Sequence, residues 1–416
     1  MNGTWLLVAL FALAYLGSIL LKGRAIRGFG LPSGSEYLVI GFVLGAHVFA
    51  VIDRQLVAQF QPVVAMGMGW LSFRVGISYL SVGTRAIRVS RLLLGNLLSL
   101  LVTVGVAAVV FFVGRAFSFS VNDLGFLALG VGLIAADNTR HSVRWVAEQC
   151  GASGPTTELV GDLARCSALL PILGATLLFA VVPSDHVAGL PFALRVGFPL
   201  LLGIALGGVL LLLLGRELRK NESWGLLLGT CLMAAGACLQ LGLSSIASLF
   251  ILGLVLSFSK HRWDLKAMIA PTEQPVLLPM LLLAGASVNV QLPSAVLLLL
   301  LVAVVAKLAL RVLFGALIVR RFVANRAVAL CIGISQMSCG VVSVIISTGI
   351  AARSNSALGN ALLLYTAACM LLGEAIGPAK LRQVLDEVDE ISGNDSADHS
   401  ESLAPESEML KLRPGP

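Results

Sequence analysis

The segment GLIAADNTRH, residues 132–141, places Asp137, Asn138 and Thr139 in the middle of a long apolar run. A second segment, SQMSCG at residues 335–340, interrupts another apolar run in the same way. A helix that unwinds inside a membrane exposes backbone N–H and C=O groups, which is tolerated only where they line a cavity or bind an ion. Interruptions at matching places in two halves of a chain are typical of a transport site.

Composition places the chain among polytopic membrane proteins. Of its 416 residues 57% are hydrophobic and 12% charged, and the mean hydropathy is +0.94. About 20 apolar residues cover the hydrocarbon core of a bilayer. Charged and Pro/Gly-rich breaks then predict thirteen spans, at 3–21, 35–51, 57–80, 92–114, 123–148, 157–182, 192–215, 222–242, 244–259, 274–290, 293–319, 326–350 and 356–377. The first span has no preceding Lys or Arg and no following small-residue cleavage site, so we expect it to stay in the mature chain.

The basic residues predict the orientation. Lys and Arg concentrate in every second loop, as at Arg85, Arg88, Arg91, Arg140 and Arg144. Such loops stay on the cytoplasmic side, so we expect the N-terminus outside and the C-terminus inside a cell (plasma or inner) membrane. The net charge of +7 reflects these anchors, and no basic stripe interleaved with aromatics indicates a nucleic-acid partner.

The composition changes after residue 382. Nine acidic residues lie between Asp386 and Glu408, among Ser, Asn and Pro. Residues 383–416 therefore read as an acidic, disordered cytoplasmic tail, with a short helix continuing over 379–391, behind a transmembrane domain at 1–382.

The span count predicts an internal repeat. If residues 1–182 form one six-span unit, the span at 192–215 is a linker helix and residues 222–377 repeat the unit upside down. The fifth span then matches the twelfth, and these are the two interrupted spans. The sequence thus predicts an all-α membrane fold of two inverted six-helix repeats with crossed interrupted helices.

Charges inside spans are costly and mark function. The candidates are Asp137, Glu158, Asp162, Arg165, Lys307 and Arg311, with Arg74 and Glu374 nearer the span ends. A partly dehydrated carboxylate such as Asp162 binds either a proton or a cation. The competing interpretations are structural. In these interpretations Asp162 forms an ion pair with Arg165, and Asp137 only neutralises helix N-termini. Lys307 likewise only neutralises helix carbonyls, and Arg311 snorkels to the surface.

In this arrangement the chain resembles the monovalent cation:proton antiporter superfamily, in particular its second branch of sodium/proton and potassium/proton exchangers. The likeness covers residues 1–380 and rests on LPSGSEYLVIGFVLGAH (31–47), FRVG (73–76), AADNT (135–139), GDLARCSALLPIL (161–173), LPMLLLAGASVNV (278–290) and AKLALR (306–311).

The resemblance implies roles for particular residues. Asp162 matches the second member of the family's pair of polar residues, which binds proton or cation, and Lys307 matches the lysine of the eleventh span. Asp137 matches the acidic residue of the crossing, where Thr139, Gln336 and Ser338 are further candidate ion-binding residues. The family also implies a homodimer whose six-helix core moves like an elevator.

Three features depart from the family pattern. Gly161 stands where the family has the first member of its pair, and Arg165 adds a cation near Asp162. Residues 336–340 replace a Gly-Glu-Phe-like stretch. With one carboxylate at the pair position, exchange of one cation for one proton is electroneutral.

The sequence predicts an exchanger of Na⁺ or K⁺ for protons across the bilayer. The alternatives are a ligand-gated potassium efflux system, or a non-transporting sensor or subunit locked by an Asp162–Arg165 ion pair. Neither an intramembrane enzyme motif nor a metal, disulfide or cofactor pattern is present in the sequence.

Overall fold

A computed structural model describes residues 34–45, 48–49, 51–52, 61–82, 85–117, 119–181, 189–214, 220–320, 326–353 and 357–391. The predicted first span, 3–21, and the tail beyond Ile391 lie outside these residues.

The described chain is almost entirely helical. Its helices are α1 Ser35–Leu44, α2 Gln61–Ser78, α3 Val89–Ala116, α4 Val121–Ala136, α5 Arg140–Cys150, α6 Pro155–Cys166, α7 Leu169–Val181, α8 Phe192–Leu214, α9 Lys220–Gln240, α10 Ser245–Leu256, α11 Arg262–Ile269, α12 Glu273–Ser287, α13 Ser294–Val319, α14 Arg326–Ser335, α15 Val341–Arg353 and α16 Ala357–Glu387. A 3₁₀ turn, Ala270–Thr272, joins α11 to α12. Two-residue strands, β1 Ser81–Val82 and β2 Arg85–Ala86, form an antiparallel pair between α2 and α3.

Many of these helices are suited to a bilayer. Seven stretches of the described chain are long and apolar enough to cross a membrane: Val89–Ala116, Pro155–Val181, Phe192–Leu214, Glu222–Gln240, Arg262–Ser287, Ser294–Val319 and Ala357–Glu387. Large apolar side chains such as Phe112, Leu201 and Leu212 are exposed on their outer faces. Lipid is the solvent that such faces require, so the protein is an all-α, multi-pass membrane protein.

Both predicted interruptions are confirmed. The fifth predicted span is divided into α4, which ends at Ala136, and α5, which begins at Arg140. The twelfth is divided into α14, which ends at Ser335, and α15, which begins at Val341.

One span has an additional break, and one span boundary was wrong. The sixth predicted span, 157–182, agrees with the membrane-crossing stretch Pro155–Val181, but its helix is interrupted at Ser167–Ala168, between α6 and α7. Pro171 explains this break, because its ring conflicts with the carbonyl four residues earlier and it has no N–H to donate. The second predicted span, 35–51, is helical only to Leu44, and Gly45 forms an isolated bridge with Ile52.

The helices pack in two groups. In one, α2 lies along α10, α1 along α12, and α8 along α10. In the other, α3 lies along α4, α6 and α13, while α16 contacts α14 and α15. The second group contains both interrupted helices and α6, and therefore holds most of the candidate site.

The last helix extends beyond the predicted domain boundary at residue 382. Leu381, Val384 and Leu385 of α16 are buried in one apolar cluster with Val143 of α5 and Leu159 of α6. Because these side chains anchor the helix, its regular structure continues to Glu387. The acidic composition after residue 382 therefore does not mark the end of the folded part.

The close contact of α2 with α10 yields a stability prediction. A Cβ added at Gly253 would lie 2.3 Å from Phe73 O and 2.8 Å from Ile77 N, which are backbone atoms that cannot move aside cheaply. We expect Gly253→Ala to lower the free energy of unfolding by about 1–3 kcal/mol. Gly208→Ala is the matched control, since a Cβ there meets no heavy atom within 4 Å. Thermal unfolding in detergent compares the two, and equal melting temperatures would contradict the packing.

Candidate functional site: the crossed helices and the Asp162 ion pair

The two interrupted segments touch each other directly. Thr139 N donates to Ser338 O at 3.1 Å, and Asn138 Nδ2 donates to Gln336 Oε1 at 3.1 Å. The unwound backbone and side chains of one segment therefore supply hydrogen-bond partners for the other. Such pairing is what makes two helix breaks tolerable at one place.

Asp137 caps the helix that begins across the crossing. Its Oδ2 atom accepts hydrogen bonds from Gly340 N at 3.0 Å, Ser343 N at 2.8 Å and Ser343 Oγ at 3.0 Å. The side chain is buried, and its negative charge lies at the positive N-terminus of α15. The interpretation of Asp137 as a neutraliser of helix N-termini agrees with this geometry.

Arg311 neutralises the other kind of helix end. Its Nη2 atom donates to Ala135 O at 2.9 Å and Asp137 O at 3.2 Å, and also contacts Ala136 O. These carbonyls form the C-terminus of α4, the negative end of its dipole. Arg311 is 1% exposed, so its predicted snorkelling to the surface was wrong. The structural role that the sequence suggested for Lys307 thus belongs to Arg311.

Lys307 lies one turn before Arg311 and points at a thiol. Its Nζ donates to Cys339 Sγ at 2.9 Å, and Cys339 Sγ contacts Ile134 O at 3.6 Å. The lysine is fully buried. It therefore contacts the crossing through a side chain of the second interrupted segment.

Glu374 of α16 bridges the two interrupted helices. Its Oε1 accepts hydrogen bonds from Ser142 Oγ at 2.7 Å and Ser338 Oγ at 3.2 Å. The sequence placed Glu374 near a span end, but the side chain is buried, because α16 continues for more than two turns beyond it. Ser338 is thereby committed to hydrogen bonds at the crossing.

Some polar atoms at the crossing are buried without a hydrogen-bond partner among the described residues. They are Asn138 Oδ1, Thr139 Oγ1 and Gln336 Nε2. A buried polar atom of this kind costs about 1–3 kcal/mol unless water or a ligand satisfies it. The two oxygens are suitable partners for a water molecule or a dehydrated cation.

Asp162 lies on α6, and its closest charged neighbour is Arg91 of α3. Arg91 Nη1 is 2.7 Å from Asp162 Oδ2 and 3.5 Å from Glu158 Oε2. Asp162 is completely buried, whereas the Glu158 side chain is 48% exposed. A Cβ at Gly161 would meet no heavy atom within 4 Å, so packing does not exclude a side chain at this position.

The sequence spacing suggested an ion pair between Asp162 and Arg165, but the ion pair in the structure has a different arginine. Asp162 pairs with Arg91, and Arg165 Nη1 instead donates to Ser78 O at 3.2 Å, at the end of α2. Residues three apart on a helix lie on neighbouring faces, so Arg165 can be directed away from Asp162. Arg91 was assigned to a cytoplasmic loop, but α3 begins at Val89 and carries Arg91 in its first turn.

Glu273 is a charged centre that the sequence reasoning missed. Its carboxylate contacts Arg74 Nη2 at 3.3 Å, His141 Nε2 at 3.4 Å, and Arg140. Arg74 and Glu273 belong to the first group of helices, while Arg140 and His141 begin α5 in the second. Glu273 therefore joins the two groups. Arg74 could have indicated this centre from the sequence, because an arginine inside a predicted span needs a carboxylate partner.

This cluster yields a second stability prediction. Glu273→Gln leaves Arg74 and Arg140 close together without a counter-charge, and both side chains are less than one-fifth exposed. We expect a loss of about 3–5 kcal/mol in the free energy of unfolding. Glu148→Gln is the control, because its pair with Arg144 is exposed and is worth less than about 1 kcal/mol. Thermal unfolding of both variants in detergent measures the difference, and a similar small loss in both would refute the buried role of Glu273.

Comparisons with known proteins agree with this architecture. No family model and no curated protein matched the sequence. Two solved structures of the sodium proton antiporter MjNhaP1 from Methanocaldococcus jannaschii match the fold. The structure at pH 8 has a TM-score of 0.61 and 12% identity, over 93% of this chain and 99% of that chain. The three-dimensional EM map has a TM-score of 0.62 and 13% identity, over 93% and 98%. The chain therefore has the fold of a sodium proton antiporter.

Proposed function

We propose that this protein belongs to the monovalent cation:proton antiporter superfamily, in its second branch, and exchanges Na⁺ or K⁺ for protons across the membrane. It is a transporter and not an enzyme. The observation that carries the proposal is the crossing of two interrupted helices, in a fold shared with a sodium proton antiporter. Crossed half-helices provide fixed dipoles and free backbone oxygens at one depth in the bilayer, which suits ion transport.

The two buried aspartates, Asp137 and Asp162, have different roles in this proposal. Asp137 already accepts three hydrogen bonds through Oδ2, so its charge is committed to the start of α15. Among the contacts described, Asp162 forms an ion pair with Arg91, whose side chain is 13% exposed. Asp162 is therefore the carboxylate that alternately binds a proton and the cation.

Arg91 makes this binding a three-way competition. A proton, a cation and the Arg91 guanidinium each neutralise Asp162, and only one of them does so at a time. Because Gly161 supplies no second carboxylate, one cation replaces one proton and the exchange is electroneutral. Thr139 and Asn138 supply nearby polar oxygens at the crossing, and Lys307 and Arg311 hold the local charge balance.

The resemblance also supports an assembly and a location. We propose a homodimer in the cell membrane, with its N-terminus outside and its C-terminus in the cytoplasm. The helices of 1–182 and 222–377 then form inverted repeats, and the group with the interrupted helices moves as the transporting core.

A second candidate rests on the Asp162–Arg91 contact itself. An ion pair with a 2.7 Å separation and a fully buried carboxylate also fits a permanent lock. In that case the protein is a non-transporting sensor or subunit, with Arg91 in the place that the sequence gave to Arg165. The next two experiments separate this candidate from the exchanger.

The first prediction concerns Asp162. Asp162→Asn retains the shape of the side chain but neither binds a proton at neutral pH nor attracts a cation, so exchange should be lost completely. The measurement is proton flux in inverted vesicles from a host without its own exchangers, followed by a pH-sensitive dye on addition of Na⁺, K⁺ or Li⁺. Asp264→Asn is the control, since this carboxylate is 83% exposed. Full cation-dependent proton flux in Asp162→Asn would refute the proposed role of Asp162.

The second prediction concerns Arg91. Arg91→Gln removes the internal competitor, so the cation concentration for half-maximal exchange should fall by roughly tenfold or more, because a buried pair is worth above about 1.4 kcal/mol. The same dye assay measures this concentration. If the wild type is active and Arg91→Gln has the same half-saturating cation concentration, Arg91 does not compete with the cation for Asp162. Flux that appears only in Arg91→Gln would support the locked sensor.

A further inference from the structure

The helix that carries Asp162 is capped by a residue from the far end of the chain. Both carboxylate oxygens of Glu390, three residues after α16, accept hydrogen bonds from the start of α6. Thr156 N donates at 2.6 Å, and Thr157 donates through both N and Oγ1 at 2.7 Å. Ser153 N also donates to Glu390 O at 3.1 Å. One residue thus satisfies three backbone N–H groups at this helix end.

The local sequence provides no such cap. The residue before α6 is Gly154, which has no side chain, and Pro155 begins the helix. A Cβ at Gly154 would lie 2.3 Å from the carboxyl carbon of Glu390. The glycine therefore leaves room for the Glu390 carboxylate, in the place where Ser, Thr or Asp normally caps a helix.

The Glu390 carboxylate is charged at neutral pH. Partial burial acts to raise the pKa of Glu390, but the hydrogen bonds from Thr157 and Thr156 outweigh it and lower the pKa below its ordinary value. A negative charge at the N-terminus of α6 also interacts favourably with the helix dipole.

The cap acts on a short helix whose geometry matters. α6 has 12 residues, and Asp162 lies six residues after Thr156, or about 9 Å along the axis at ~1.5 Å per residue. Glu158 and Asp162 project from successive turns toward the same Arg91. Fraying of the first turns would therefore move both carboxylates relative to Arg91.

We propose that Glu390 is a positioning residue for Asp162: it fixes the first turns of α6 and so sets the distance between Asp162 and its competing partners. The effect on transport rests on the proposed role of Asp162. Glu390 does not touch the transported ion in this account, and it acts only through the helix.

The first test is the transport assay. Glu390→Ala should shift the half-saturating cation concentration by roughly three- to tenfold, the range of a lost helix cap, with a smaller change in maximal rate. Glu390→Gln keeps one acceptor oxygen and should give an intermediate shift. Glu387→Ala is the control, because this carboxylate is exposed and contacts only Gln383 among the bonds described. Wild-type half-saturation in Glu390→Ala, or a loss confined to maximal rate, would overturn the proposal.

The second test is rescue by a local cap. Gly154→Ser alone should impair transport, because its Cβ collides with Glu390. Gly154→Ser combined with Glu390→Ala has space for the serine, whose hydroxyl can cap α6 directly. Half-saturation should then return toward the wild-type value. A double variant no better than Glu390→Ala would mean that the link to α16, and not the cap, is what matters.

The third test does not depend on transport. Backbone hydrogen exchange over residues 156–163 should become faster in Glu390→Ala and return in the double variant, while α13 stays unchanged. Unchanged exchange in Glu390→Ala overturns the positioning role. If hydrogen exchange over residues 156–163 becomes faster in Glu390→Ala but the wild type transports no cation, the positioning of Asp162 stands. Only the proposed transport function is then rejected.

Discussion

Compensation of helix-end charges inside the membrane is the constraint on which the rest of this structure depends. Breaking two helices at the crossing creates exposed N–H groups at the start of α15 and exposed carbonyls at the end of α4. Asp137 satisfies the first, through Gly340 N and Ser343, and Arg311 satisfies the second, through three consecutive carbonyls. Without these two residues the unwound backbone would be left unpaired in a medium that offers no water.

This compensation also distinguishes the two buried aspartates. The Asp137 carboxylate is fixed by three hydrogen bonds from the start of α15. Asp162 is in a different position, since its described partner is a long side chain that enters from the first turn of α3. Arginine side chains of this kind change rotamer without disturbing the backbone. The crossing is therefore held by short, fixed hydrogen bonds, and under the proposed function the exchangeable charge lies on the neighbouring helix α6.

The sequence predicted the features that follow from composition and periodicity. Helix breaks at Asp137 and at Ser335–Gly340 could be read from polar residues in apolar runs, and the structure has both breaks. Partners distant in sequence could not be read in this way. Arg91 lies beside a span end, where a basic residue is most often a lipid anchor, and only the packing of α3 on α6 brings it to Asp162. Arg140 follows the first helix break, and its side chain reaches Glu273 of α12. The carbonyl-neutralising role falls to Arg311 and not to Lys307 for the same reason, because one helical turn decides which of them reaches the end of α4.

The distribution of arginines has a consequence for ion selectivity. Arg165 interacts electrostatically with Arg140 and Arg74 as well as with Asp162, so the positive charges near Asp162 include more than Arg91. Glu273 offsets part of this charge, because it lies between Arg74 and Arg140. Since Glu158 is half exposed and also contacts Arg91, it offers the approaching cation a first carboxylate before the buried one. In the proposed exchange, transfer of a cation from Glu158 to Asp162 would require Arg91 to leave both carboxylates, because it contacts both of them. Access of the cation would then be coupled to release of the internal ion pair.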